Sequence, residues 1–102
     1  MIEKDPKRTG LKAKAVVFAD DPTYPEFAEP GTMEWRGWGF LLACPGCGSV
    51  SGISVGADKK SPRWLVAGGS VDDVSTLTLE PSLNCVGCCG WHGHLRGGTF
   101  VC

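Results

Sequence analysis

Residues that can bind a soft metal ion are concentrated in the segment NCVGCCGWHGHL, residues 84–95. They are Cys85, Cys88, Cys89, His92 and His94. A second group lies earlier in the chain, in the segment CPGCG, residues 44–48. Structural zinc sites use thiolate and imidazole ligands, four at a time. The two segments therefore predict one zinc site, and the surplus of donors means that some of them are not ligands.

The earlier segment has the spacing of a zinc knuckle. Cys44 and Cys47 have two residues between them, so both reach one ion only if the chain turns tightly. Pro45 fixes one φ angle, and Gly46 and Gly48 permit left-handed backbone conformations. Such a turn points backbone N–H groups at the sulfur atoms and supports thiolate charge. A thioredoxin-like redox site is disfavoured because the residues that follow are a poor helix start.

The later segment offers several ligand pairs, and spacing alone does not choose among them. Cys85 and Cys88 have the spacing of a second knuckle, and Cys89 and His92 also have two residues between them. The two histidines would share one face of a strand. Cys102 is a further donor, which a terminal hairpin would carry back toward this segment. The histidine spacing of a classical zinc finger is absent, because one residue rather than three to five separates the two rings.

Composition predicts a small soluble domain with little helix. The chain has 102 residues, of which 15 are glycine and seven are proline, so turns must be frequent. Its net charge of −1 gives no overall attraction to nucleic acid or to membranes. The first residues lack the apolar core of a signal peptide, and no stretch is long enough to span a membrane. We therefore expect a cytoplasmic protein, a compartment where cysteine clusters usually hold metal.

Periodicity predicts a mainly β fold: a small zinc-ribbon-like sheet or sandwich of six or seven short strands, with little or no helix. We expect residues 1–12 to be a flexible basic tail and residues 13–102 to form a single β-rich zinc-binding domain. The predicted elements are strands at 12–19, 33–43, 50–55, 63–68 and 74–83, a loop at 20–32 and a hairpin at 92–102.

The segment TLEPSL, residues 78–83, has two interpretations. The favoured one is a corner that delivers the chain to the metal, because Pro81 cannot donate a ladder hydrogen bond and the Ser82 hydroxyl can bond to nearby backbone. The alternative is a ligand-binding role for Thr78, Glu80 or Ser82. Trp91, which lies between two candidate metal ligands, is expected to shield the ion from water.

In combination, CPGCGS, LTLEPSL and CGWHGHLRGGTFVC resemble a family of small domains found in bacteriophage and bacterial genomes. The family pattern is CPxCG, then TLxPS, then CGWHG and a closing cysteine, and the resemblance covers residues 35–102. It implies no established biochemical activity. Some members are associated with phage modules, with bacterial defence or with ubiquitin-like gene neighbourhoods.

The resemblance also implies a ligand set. The donors that match the family pattern are Cys44, Cys47, Cys89, His92 and Cys102. This makes five donors for four positions, so we expect the first four to bind zinc and Cys102 to be the substitute. Cys85, Cys88 and His94 fall at variable positions of the pattern, and Cys85→Ser is therefore expected to change the protein little.

These observations favour a small structural zinc-binding module without catalytic residues. It would hold one zinc ion and act as a phage or bacterial accessory protein that binds another protein. One alternative is a zinc-dependent hydrolase with an open coordination position and Glu80 as a candidate base. The other is a nucleic-acid-binding zinc ribbon that uses the basic N-terminal segment, which the neutral net charge disfavours.

Overall fold

The fold is mainly β, as predicted, and a computed structural model describes residues 5–18, 25–56, 64–85 and 89–102. These ranges contain no helix and nine strands. The strands are β1 Leu11–Lys12, β2 Lys14–Ala15, β3 Thr32–Trp35, β4 Gly39–Ala43, β5 Val50–Ser54, β6 Leu65–Ser70, β7 Asp73–Asn84, β8 His92–Arg96 and β9 Thr99–Val101. Seven of them have three residues or more, and β1 and β2 have two each. No helix among the described residues is long and apolar enough to cross a membrane.

The strands form two sheets. One has five strands in the order β1-β9-β8-β7-β6, and the other has four in the order β2-β3-β4-β5. All neighbouring strands are antiparallel except β2 and β3, which are parallel. Most of these pairs are joined by short connections, because antiparallel strands can be linked by a tight hairpin.

Buried side chains from both sheets form one main core. Its largest fully buried members are Trp91, Phe40, Phe100, Met33, Leu77, Leu79 and Leu95. In β8, Gly93 and Leu95 are buried whereas the residues on either side of them are not. The alternation means that one face of the five-stranded sheet packs on the core and the other remains open.

Two strand predictions need correction. The single strand predicted at 33–43 is two antiparallel strands, because the chain turns at Gly37, where φ is +85°. Of the strand predicted at 12–19, residues 12–18 are described, and within them strand is limited to the end of β1 and to β2. The predicted terminal hairpin is present, with Gly97 and Gly98 at positive φ between β8 and β9. Part of the loop predicted at 20–32 lies outside the described residues.

The N-terminal segment, predicted to be a flexible tail, contacts the CPGCG segment. The Asp5 backbone N–H donates to the Gly46 carbonyl at 2.6 Å, and Arg8 Nη1 donates to the Pro45 carbonyl at 3.0 Å. Strand β1 then pairs with β9, with Leu11 opposite Phe100. Whether the tail is mobile, and the domain boundary at residue 12, remain predictions.

Candidate functional site

Three thiols from distant parts of the chain meet in a thiol cluster, formed by Cys44, Cys47 and Cys89. Their sulfur atoms all lie within 4.8 Å of one another, and Cys44 Sγ lies 3.6 Å from Cys89 Sγ. The first two belong to the connection between β4 and β5 in the four-stranded sheet, whereas Cys89 lies between β7 and β8 in the five-stranded sheet. The cluster therefore bridges the two sheets.

Backbone hydrogen bonds build the tight turn that the CPGCG spacing predicts. The Gly48 N–H donates to the Cys44 carbonyl at 2.8 Å, and the Gly46 N–H points at Cys44 Sγ at 3.3 Å. Gly48 has a φ of +81°, as expected, but Gly46 is needed for a different reason. A Cβ atom at Gly46 would lie 2.5 Å from Cys89 Sγ and 2.9 Å from Trp91 Cβ. Glycine at this position lets the two halves of the cluster approach each other.

Burial and neighbouring thiols favour the protonated forms of Cys44 and Cys89. The hydrogen bond between the Cys44 and Cys85 thiols and burial raise the pKa of Cys44 far above its usual range, against a smaller opposite effect of the Gly46 N–H. Burial is also the main reason that the pKa of Cys89 is raised. A soft divalent cation would reverse this preference, because a coordinating thiol is deprotonated outright. The grouping is therefore one that a metal ion could stabilise.

The spacing of the sulfur atoms fits a metal with thiolate ligands. Zinc–sulfur bonds are about 2.3 Å long, so two thiolates on a tetrahedral ion lie about 3.8 Å apart. The 3.6 Å between the sulfur atoms of Cys44 and Cys89 is close to this value and far longer than a disulfide bond. These three cysteines could hold a metal ion, whose identity the geometry alone does not decide.

The other predicted ligands have different surroundings. His92 is exposed on β8, and its Nε2 atom lies 2.9 Å from the Ser82 hydroxyl. Cys102 is exposed, and its backbone N–H donates to Thr9 Oγ1 at 3.1 Å. Neither residue belongs to the three-thiol group. Cys88, one of the alternative donors, lies outside the described residues.

The contact between Ser82 and His92 forms a second feature, a serine–histidine pair on the open face of the five-stranded sheet. The hydroxyl of Ser82 donates to Nε2 when the ring carries its proton on Nδ1. The Ser82 carbonyl accepts a hydrogen bond from Trp64 Nε1 at 3.3 Å, which helps to fix the serine backbone. No carboxylate among the described residues hydrogen-bonds to His92, so the described arrangement is a dyad.

A break in the β7–β8 ladder positions the serine. Leu79 pairs with Leu95 and Leu83 pairs with Gly93, so residues 80–82 on β7 face His94 alone on β8. A bulge of this kind bends its strand and redirects the side chains at that point, and bulges are common beside active sites. The favoured interpretation of TLEPSL as a corner is therefore incomplete, because Ser82 also reaches the histidine on the neighbouring strand.

A cavity of about 360 Å³ lies beside the pair. It is lined by Thr78, Leu79, Glu80, Pro81, Ser82, His94 and Arg96. Ser82 is thus one of the residues that line this cavity, whereas His92 is not. The lining has a cationic side chain, a carboxylate and an imidazole, all suited to polar groups of a bound molecule.

The serine–histidine pair was not predicted from the sequence. Ser82 was expected to bond to nearby backbone in a corner or, as the alternative, to bind a ligand, and His92 was assigned to the metal. The two residues are ten positions apart, and their contact depends on the register in which Asn84 faces His92. The alternation of apolar and polar residues in β7 and β8 was a signal that Ser82 and His92 share the polar face of the sheet. Residue spacing alone does not reveal the bulge that brings them together.

The described residues define an all-β protein with a thiol cluster between its sheets and a serine–histidine pair on an open sheet face. The chain belongs to the BubE family, described as the serine protease of a bacterial ubiquitination-like system, whose profile matches residues 20–102. A comparison with curated proteins and one with solved structures give no match. The resemblance to a bacterial family is thus confirmed, whereas its phage association remains a prediction.

Proposed function

We propose that this chain is a serine peptidase in which Ser82 is the nucleophile and His92 the general base. The observation that carries the proposal is the 2.9 Å contact between Ser82 Oγ and His92 Nε2 beside a cavity. Membership of a family described as a serine protease supports the same chemistry. This replaces the non-enzymatic module favoured from the sequence.

The proposed reaction follows from the positions of these two side chains. Ser82 Oγ attacks the carbonyl carbon of the scissile peptide bond while His92 Nε2 takes the hydroxyl proton. The resulting imidazolium gives this proton to the leaving amine as the C–N bond breaks, which leaves an acyl-serine ester. His92 then takes a proton from water, the water oxygen attacks the ester, and the proton returns to Ser82. Neutral His92 is required at the start of each half-reaction.

The cavity beside Ser82 is the proposed substrate site. Thr78 and Arg96 are opposite each other by the register of β7 and β8, and His94 lies between Arg96 and the dyad along β8. A peptide bound there would meet hydrogen-bond donors on the β8 side and Glu80 on the β7 side. The protein partner expected from the sequence is then the substrate, which we propose to be a component of a bacterial ubiquitination-like system.

We propose a separate, structural role for the thiol cluster, with zinc as its ion. The buried positions of Cys44 and Cys47 and the knuckle hydrogen bonds are typical of structural zinc sites. A structural zinc ion contributes about 10 kcal/mol or more to folding. In this proposal the ion stabilises the fold, and the reaction uses only Ser82 and His92.

A fluorophosphonate probe tests the peptidase proposal, because it reacts covalently with an activated serine. We expect zinc-loaded, reduced protein to incorporate one probe molecule at Ser82, as located by peptide mass spectrometry. Ser82→Ala should abolish labelling and His92→Gln should slow it by about a thousandfold.

Ser75→Ala is the matched control, since Ser75 is another serine of β7, exposed to solvent, whose hydroxyl bonds to Asp73 rather than to a histidine. Its labelling should equal that of the unaltered chain. If Ser82→Ala or His92→Gln is labelled as fast as the unaltered chain, the proposed dyad is refuted.

A further inference from the structure

A fourth cysteine lies beside the thiol cluster. Cys85 follows β7 directly; its N–H donates to the Trp91 carbonyl at 2.8 Å, and its own carbonyl accepts from the Gly90 N–H at 3.2 Å. These two hydrogen bonds close the connection between β7 and β8, so Cys85 and Cys89 are held at the same end of the sheet. Both pack against the main core. The Cys85 thiol also hydrogen-bonds to the thiol of Cys44.

We propose that Cys85 completes a closed four-thiolate zinc site with Cys44, Cys47 and Cys89. Cys85 is not within 4.8 Å of all three other sulfur atoms, since the group at that separation has three members. Neutral thiols make hydrogen bonds in pairs, whereas a cation attracts every thiolate to one centre. Binding of zinc would therefore draw Cys85 from its partner Cys44 toward the other two.

Among the described residues, the alternative fourth ligands are occupied elsewhere or exposed. His92 Nε2 bonds to Ser82, and Cys102 lies on the surface next to Thr9. A fourth thiolate also leaves no coordination position for water, which a zinc hydrolase requires. The closed site thus separates the metal from the chemistry and disfavours the zinc-hydrolase alternative raised by the sequence.

The four-thiolate site would also help to position the serine–histidine pair. This consequence rests on the proposed peptidase function. Ser82 precedes Cys85 by three residues, and His92 follows Cys89 by three. An ion bound to both cysteines would fix the end of β7, which carries Ser82, relative to the start of β8, which carries His92. Without the ion, the register of Asn84 and His92 would loosen, and a displacement of about 1 Å is enough to cost about a hundredfold in rate.

A thiol footprint on the unaltered protein tests the ligand set without risk of unfolding a variant. Zinc-loaded protein is treated with N-ethylmaleimide, and each modified cysteine is quantified by peptide mass spectrometry. We expect Cys85 to be modified at least about tenfold more slowly than the exposed Cys102, and to become reactive after chelation. Modification of Cys85 at the Cys102 rate while zinc stays bound would overturn the proposal.

Cobalt substitution provides a second measurement. The sulfur-to-cobalt absorption band scales with the number of thiolates, so Cys85→Ser should lose about a quarter of it, as one ligand of four. Cys102→Ser and Cys88→Ser are the controls and should keep the full band. A full band in Cys85→Ser, or a loss in either control, would assign the fourth position to another residue.

Probe labelling of Ser82 separates this inference from the peptidase proposal. Removing zinc should slow labelling by at least about a hundredfold, since loss of the ion displaces the dyad or unfolds the domain, and adding zinc back should restore the rate. If Ser82 is never labelled, the peptidase proposal fails while the footprint and the cobalt band still decide the metal site. If Ser82 is labelled equally with and without zinc, the positioning role of the site is refuted.

Discussion

The thiol cluster and the serine–histidine pair use neighbouring stretches of chain but are built in opposite ways. The cluster joins two sheets, and its knuckle cysteines are each only 2% exposed. The pair belongs to one sheet, and its histidine is on the open face. Buried ligands contribute to stability, whereas an exposed hydroxyl next to a base contributes to reactivity. The two regions should therefore respond differently to substitution.

Loss of a knuckle thiol should have the largest effect on the fold. Cys47→Ser would remove one ligand of the proposed zinc ion, whose contribution of about 10 kcal/mol or more is comparable with the whole stability of a small domain. We expect this variant to be unfolded at 25 °C by circular dichroism and free of metal by native mass spectrometry. Cys102→Ser should melt like the unaltered chain. A folded, metal-free Cys47→Ser protein would show that the cluster does not stabilise the fold through an ion.

Substitution of the proposed nucleophile should have the opposite effect, with a large loss of activity and little loss of stability. Ser82→Ala is expected to reduce peptide hydrolysis by about a thousandfold or more. Its free energy of unfolding should change by no more than about 1 kcal/mol, because only one exposed hydrogen bond is lost. Kinetics and thermal melting of the same preparation measure both. A large drop in melting temperature would mean that the serine has a structural role instead.

The approach of the two halves of the cluster can be tested at Gly46. Gly46→Ala would place a Cβ atom 2.5 Å from Cys89 Sγ, so we expect it to cost about 1–3 kcal/mol and to weaken metal binding. Gly68→Ala is the matched control, since its Cβ would meet nothing closer than Thr78 Cβ at 3.6 Å. Competition with a chromophoric chelator measures the metal affinity. Equal metal affinity in the two variants would contradict the close approach of Gly46 to Cys89.

The cluster and the pair also differ in how far the sequence predicts them. Residue type and local spacing were enough to pair Cys44 and Cys47 with the donor-rich segment at 84–95, because few other roles require such a density of thiols. The choice of Cys89 within that segment came from the family resemblance. Strand alternation was enough for the mainly β fold and for the terminal hairpin. The pair required the register between β7 and β8 and the bulge at residues 80–82, which depend on packing across the whole sheet.

The substrate cavity should show the smallest of these effects. Arg96 has no ion-pair partner among the described residues and lines the cavity next to His94. A hydrogen bond from its guanidinium to a substrate carbonyl or carboxylate is worth about 1.5–3 kcal/mol, so Arg96→Gln should raise KM about tenfold or more with little change in kcat. Lys14→Gln, an equal loss of charge on the other sheet, should leave KM unchanged. If both variants raise KM equally, the effect is one of overall charge, and the cavity is not where the substrate binds.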